Sequence, residues 1–194
     1  MNITEIELVG PQSFPIEKIE QYFSISTPQG KLDDFVVSYL EHDNQRVLIL
    51  SDLDKKIAAF AAFEMWNNGR VWQAKNAETF RPYKGRALVA KIYKYVKDTM
   101  HKSIQSDSTQ SYGGIVLWCK SLPALGLKPM IFDTKTERII DPDTSDIDVY
   151  SVCKDNDPTQ WRYTWILERF DHYPSQNLLL EDSLLLPITG MWKR

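Results

Sequence analysis

The chain has 194 residues, of which 43% are hydrophobic, 12% aromatic and 25% charged; this is room for one domain with a full core and excludes disordered and fibrous classes. A formal net charge of -3 excludes the broad basic field that a nucleic-acid backbone selects, so any anion site has to be local. Cys119 and Cys153 make no disulfide framework, no apolar run is long enough to cross a bilayer, and the first residues carry no basic leader, so a soluble, cytoplasmic, non-membrane protein is expected.

Residues 3 to 9, ITEIELV, alternate apolar and polar positions and predict a first strand that ends at Gly10-Pro11. Two segments, PIEKIEQYF and GKLDDFVVSYLEH, then place Ile16, Ile19, Tyr22 and Phe23, and Leu32, Phe35, Val36, Tyr39 and Leu40, at three- and four-residue intervals, which predicts two amphipathic helices. From Gln45 the texture changes: QRVLILSD and KKIAAFAAFEMW read as a hairpin turned by SDLDKK, the second strand apolar on both faces and therefore inside a covered sheet. A turn at NNG leads to a third strand, RVWQAKNAETF, so a three-strand meander is expected.

Residues 86 to 103 carry Leu88, Val89, Ile92, Tyr93, Val96 and Met100 on one helical stripe, with Lys91, Lys94 and Lys97 elsewhere. The polar run QSDSTQSYGG leads to IVLW, read as a short strand, and KSLPALGLKP, a short helix stopped by Gly126 and Pro129. MIFDTKTERII reads as one strand or as a strand and turn, and DPDTSDID as an acidic loop. In QWRYTWILERF, Trp161, Tyr163, Trp165 and Leu167 share one parity of a strand. The leucine-rich tail at 171–194 suits docking on the domain at 1–170 or on another copy, so a homodimer is one expectation. A meander followed by strand and helix units argues an α/β fold with a mixed sheet and helices on its faces.

The stretch RPYKGRALVAKIYKYV turns from a loop with basic residues and a glycine into the helix of residues 86 to 103. A helix N-terminus offers unpaired N–H groups and partial positive charge, and a glycine lets a phosphate approach the backbone. Lys84, Gly85, Arg86 and Ala87 therefore suit an anion cradle, although a lone glycine between basic residues equally serves as a tight turn with its charges in water. Both the P-loop pattern and the dinucleotide fingerprint are absent.

The longer stretch AETFRPYKGRALVAKIYKYV resembles the acetyl-coenzyme A loop and helix of the GNAT superfamily of N-acetyltransferases, whose signature, Gln/Arg-x-x-Gly-x-Gly/Ala, lies between the fourth strand and the third helix. Gly85 and Ala87 match its small positions, and Pro82 stands where Gln or Arg is usual. SLPALGLKP resembles the second motif, with Leu125-Gly126-Leu127 in place of Leu-Gly-Phe. The resemblance implies a GNAT-like acyl-CoA N-acyltransferase fold with a central, mostly antiparallel twisted sheet and helices on both faces. It implies acetyl-CoA as co-substrate, held by the backbone of about Tyr83 to Leu88, with Lys84 and Arg86 as electrostatic support. It also implies that RVWQAKNAETF and IVLW splay apart to admit the pantetheine arm, with the thioester near Glu78 to Phe80, and that a small-molecule or protein amine is acetylated.

Transfer to an amine calls for a base and a group to protonate the leaving thiolate. Glu78 ends the strand that would approach the acetyl group and otherwise reads as a solvated strand-end carboxylate. Glu64 interrupts an apolar run and needs a partner, a raised pKa or a sheet edge. Leu122 occupies the position where the family often has an acid tyrosine, which leaves Ser121 beside it as a weak substitute. His42, His101 and His172 show no ligand spacing, so no metal is expected, and Cys119 reads as a small buried hydrophobe. The alternative function is a catalytically inactive GNAT-like binding or assembly module, such as a component of a phage particle. A nucleic-acid binder using Lys91, Lys94 and Lys97 is disfavoured, because such a helix face is ordinarily solvated surface.

Overall fold

In the computed structural model, residues 16–66, 71–107, 110–149, 152 and 162–168 are described. The expected first strand at 3–9, the NNG turn, Trp161 and the tail after residue 170 lie outside them.

Helix α1, Ile16–Ile25, lies where the first amphipathic pattern puts it. The second pattern does not form a helix. Its residues make the end of β1, Thr27–Leu32, and the whole of β2, Phe35–His42, an antiparallel hairpin in which Leu32 faces Phe35. Its turn holds Asp33 at φ 52°, a left-handed conformation that a short polar side chain tolerates. The misreading has a physical cause: Phe35 and Val37 pack on one side of the sheet and Leu40 on the other, which erases the two-residue alternation and leaves clusters at helical spacing.

Strands β3, Gln45–Ser51, β4, Ile57–Trp66, and β5, Val71–Thr79, form the expected meander, paired antiparallel. Helix α2, Leu88–Asp98, follows, and buries Leu88, Ala90, Ile92, Tyr93 and Val96. Then come β6, Ser103–Gln105, α3, Tyr112–Val116, a π-helical stretch, Leu117–Ser121, and α4, Leu122–Ala124. The hairpin of β7, Met130–Asp133, and β8, Arg138–Ile140, resolves MIFDTKTERII as two strands, and β9, Tyr163–Leu167, completes the sheet.

IVLW is therefore helical, not the expected fifth strand. Ser111 caps α3 by accepting a hydrogen bond from the Gly114 amide at 3.2 Å, and Ile115, Trp118 and Leu122, spaced along one helical face, are buried. The strand position is taken by β6, where only Ile104 is fully buried. Three residues with polar flanks carry too little periodicity to be read from sequence.

The nine described strands form one mixed sheet in the order β1-β2-β3-β4-β5-β6-β9-β7-β8, in which β5–β6 is the parallel pair. Helix α1 covers one face through Ile19 and Tyr22, packed with Leu40, Val47, Ile49, Phe60 and Ala62. Helices α2 to α4 cover the other, where Trp72, Phe63, Tyr93, Trp118 and Trp165 follow one another in ring contacts of 5.5 to 6.4 Å. The mostly antiparallel sheet with helices on both faces is the architecture expected from the sequence.

At the far edge, the buried Asp133 carboxylate accepts hydrogen bonds from Arg162 Nε at 3.0 Å and Nη2 at 2.7 Å, and from the Lys135 amide at 2.9 Å. Burial pushes its pKa up, but these bonds outweigh that and bring it to about 2. Because the folded value is depressed, the contribution is complete above the unfolded value of about 4 and is lost as pH falls through about 2. Asp133→Asn is expected to cost roughly 2 kcal/mol at neutral pH, from the loss of charge-assisted bonds, in urea unfolding. The gap between variant and wild type should narrow as the pH is lowered from about 4 toward 2.

Candidate functional site

At the end of β5 the Phe80 amide donates to the Ala58 carbonyl oxygen at 2.9 Å, and the Phe80 ring packs 6.1 Å from that of Phe60. A single 3-10 turn, Arg81–Tyr83, with Pro82 in its first positions, leads into the exposed loop Lys84, Gly85, Arg86 and Ala87. Gly85 has φ 87°, which favours glycine, and an added Cβ there would meet no atom within 4 Å. The glycine thus serves its backbone conformation, and the space before it is open.

Ala87 is the N-cap of α2 with φ 52° and ψ 34°, and no side chain caps the helix. The first-turn amides of Leu88, Val89 and Ala90 therefore lack the partner that Ser, Thr, Asp or Asn ordinarily supplies, at the positive end of an eleven-residue helix. Lys84 is exposed and has no ion pair with a described residue. The Arg86 guanidinium lies 4.5 Å from the Phe35 ring centroid and 3.4 Å from Asp34 Oδ2, so it rests on the β1–β2 hairpin and stays partly exposed.

A latch holds the loop. Tyr83 donates its hydroxyl to Asp52 Oδ2 at 2.5 Å, and its ring meets Phe35 edge-on at 5.8 Å. That hydrogen bond lowers the Asp52 pKa and raises that of Tyr83. The lysines of α2 are engaged, Lys91 with Asp33 at 2.6 Å and Lys94 and Lys97 with Asp98, so they form no free basic stripe.

Beside the loop the sheet opens. β5 and β6 pair only as Val71 with Ser103, Trp72 with Ile104 and Gln73 with Gln105. Beyond that point Ser106 stays with β9, its amide donating to the Trp165 carbonyl oxygen at 2.8 Å and its Oγ accepting from the Trp165 amide at 3.0 Å. β5 instead continues along β4, with a bulge that leaves Lys75 without a register partner between Asn76, opposite Ala62, and Ala74, opposite Phe63. Lys75 Nζ spans the opening, 3.3 Å from Glu64 Oε2 and 3.6 Å from Asp107 Oδ1.

Of the residues singled out from the sequence, Phe80, Tyr83, Lys84, Gly85, Arg86, Ala87 and Leu88 form one continuous loop and helix start. Glu64 has a partner, Lys75, and its side chain is 35% exposed, so it is reachable from solvent. Glu78, opposite Phe60, lies on the same α1-covered face as Glu64, two register steps along. Ser121 is not brought to them: it ends the π-helical stretch among Trp118 and Leu122, which pack on the α2 side. Leu122 is fully buried in that core, so no proton donor stands at its position.

Cys119 is partly covered, with a thiol that burial pushes up. Among the described residues no group of His, Cys, Asp and Glu is placed to hold a metal, and no helix is long and apolar enough to cross a membrane. The acidic loop is tied to the chain just before β7, Asp141 receiving Lys128 Nζ at 2.5 Å.

Sequence reading missed the polar residues of the opening, Gln73, Lys75, Asn76 and Asp107. One signal was present: between Trp72 and Glu78 apolar and polar residues alternate except at the consecutive polar pair Lys75 and Asn76, the trace of a bulge. Glu168, whose pKa burial raises, was also missed; it follows β9 at the closed end of the β5–β6 pair.

The class defined by these elements is an α/β protein whose parallel strand pair opens beside a basic glycine loop and an uncapped helix. No protein-family model matches the chain, and no curated protein does. Among solved structures it is similar to spermidine/spermine N-acetyltransferase SpeG from Vibrio cholerae in complex with manganese ions, at 14% identity over 34% of this chain and 42% of that one, with a TM-score of 0.28. A mutant of SpeG spermidine N-acetyltransferase from the same organism aligns at 14% identity over 34% and 41% of the two chains, TM-score 0.28. A chimera of Vibrio cholerae SpeG and hSSAT aligns at 11% identity over 66% and 70%, TM-score 0.36. The chain thus spans about two fifths of the length of the first two.

Two variants probe the loop. Tyr83→Phe is expected to speed hydrogen exchange of the amides at 84–87 while leaving those of α2 unchanged, because it removes the bond to Asp52. Ala87→Gly is expected to raise the melting temperature, since it relieves a left-handed alanine at a cost of about 1 kcal/mol.

Proposed function

We propose that this chain is a GNAT-type acyltransferase that takes an acetyl group from acetyl-coenzyme A to an amine. The observation that carries the reading is the coincidence of three features along β5 and α2: a parallel pair that parts after three residues, a bulge at the parting, and an open glycine loop at an uncapped helix. These are the places where the resemblance puts the pantetheine arm and the pyrophosphate.

The residues present fit such a ligand. Leu88, Val89 and Ala90 offer amides without a capping side chain, Gly85 leaves the approach clear, and Lys84 and Arg86 supply charge for a diphosphate. The arm would lie along β5 in the opening, which moves the thioester from the expected Glu78–Phe80 neighbourhood back toward Lys75 and Asn76, where the strands part. When bound, acetyl-coenzyme A supplies a thioester: the C–N bond to the acceptor forms as the C–S bond breaks, and the thiolate leaves with the electron pair. The acceptor's ammonium loses two protons in all, one to the thiolate and one to solvent.

In this reading Glu64 would take the solvent-bound proton; its position at the opening, partial exposure and contact with Lys75 support that role. Glu78 lies farther toward the loop, on the same face. Leu122 supplies no acid, so the thiolate takes its proton from water or another group.

Calorimetric titration with acetyl-coenzyme A tests the reading. Wild type is expected to bind, Gly85→Glu to lose binding because a carboxylate enters the anion site, and Gly85→Ala to lose far less, since it carries the backbone strain without the charge. A folded wild type that does not bind would replace this reading with the non-catalytic assembly module.

A further inference from the structure

The α1-covered face of β5 holds two polar atoms that are shielded from solvent and have no hydrogen-bond partner, Gln73 Oε1 and Asn76 Nδ2. Gln73 as a whole is 6% exposed. Leaving such groups unpaired away from water is destabilising, so their presence together calls for a reason. They are neighbours in space because of the bulge: Gln73 faces Glu64 and Asn76 faces Ala62, so the inserted Lys75 puts both on one face in consecutive positions, about 7 Å apart along the strand. One is an acceptor and the other a donor, and both lie where β5 leaves β6.

We propose that Gln73 and Asn76 form a two-point site for an acyl group and the nitrogen that joins it: Asn76 Nδ2 donates to the acyl oxygen, and Gln73 Oε1 accepts an N–H from the acceptor. The chemistry of this site rests on the acyltransfer reading. As negative charge gathers on the acyl oxygen during attack, a donor fixed at that oxygen in a water-poor site is worth more than in water. An acceptor atom on the nitrogen's side orients the amine without removing its nucleophilic pair. Glu64, Asp107 and Lys75 sum to one negative charge at the entrance, which matches an acceptor that arrives as a primary ammonium. Lys75 reaches across the opening through two ion pairs whose partners are each about a third exposed; such pairs are weak, so the side chain swings aside at little cost.

The test uses the full chain without coenzyme. Nitrogen-15-labelled protein is titrated with N-butylacetamide, which carries one N–H and one carbonyl, and with butyl acetate, which has the carbonyl alone. The amide is expected to bind about tenfold more tightly than the ester and to shift the side-chain amide resonances of Gln73 and Asn76. Gln73→Met and Asn76→Asp, with backbone spectra otherwise unchanged, are each expected to weaken amide binding about tenfold. Equal binding of amide and ester, or unchanged affinity in both variants, overturns the proposal and assigns the two atoms to a bridging water. Titration of the same samples with coenzyme A separates the two readings. Retained coenzyme binding with no amide binding removes the two-point site alone, whereas amide binding as expected without coenzyme binding upholds the site and removes the acyltransferase reading.

Discussion

The two parts of the sheet are joined through the backbone by three residue pairs, Val71 to Gln73 with Ser103 to Gln105. So short a parallel contact is weak on its own, and what holds it is the row of rings on the α2 side, where Phe63, Trp72, Tyr93, Trp118 and Trp165 pass from β4 and β5 through α2 and the π-helical stretch to β9. Burial of those aromatics supplies the stabilisation that further strand pairing would otherwise give. The sheet can therefore remain unpaired at its centre beyond Gln73 and Gln105.

The opening has a backbone cause on each side. Ser106 is bound twice to Trp165, which keeps the chain beyond β6 with β9, while β5 follows β4 through a bulge. The same bulge moves Lys75 into the gap and brings the unpartnered Gln73 and Asn76 atoms into adjacent positions. At the other end of β5, the Tyr83–Asp52 bond, the Arg86–Phe35 contact and turn bonds from the Tyr83, Lys84 and Arg86 amides hold a loop in front of which Gly85 and the uncapped first turn of α2 are left open. Order in the surroundings and incompleteness in the centre are what a preorganised binding site requires.

The glycine loop was legible because its chemistry is local: Lys84, Gly85, Arg86 and the helix behind them lie within one short run, and a helix start needs no distant partner to be recognised. The opening was not, because it depends on which strand lies beside β5. That neighbour is Ser103–Gln105 rather than IVLW, and it is too short to show a period. Glu64 was singled out for interrupting an apolar strand, but its partner Lys75 is set by register across β4 and β5, and register with a bulge cannot be counted along one strand.

The class of fold, the meander, helices α1 and α2 and the position of the basic glycine turn all follow from periodicity, propensity or turn chemistry within a dozen or so residues, and so are written locally in the chain. Long-range packing is what makes residues 35–42 a strand and residues 115–118 helical, and it sets which polar side chains meet at the opening. The reason is common to all three. Burial on both faces removes the alternation that marks a strand, and an element's neighbours, which set its conformation and its partners, are distant in the chain.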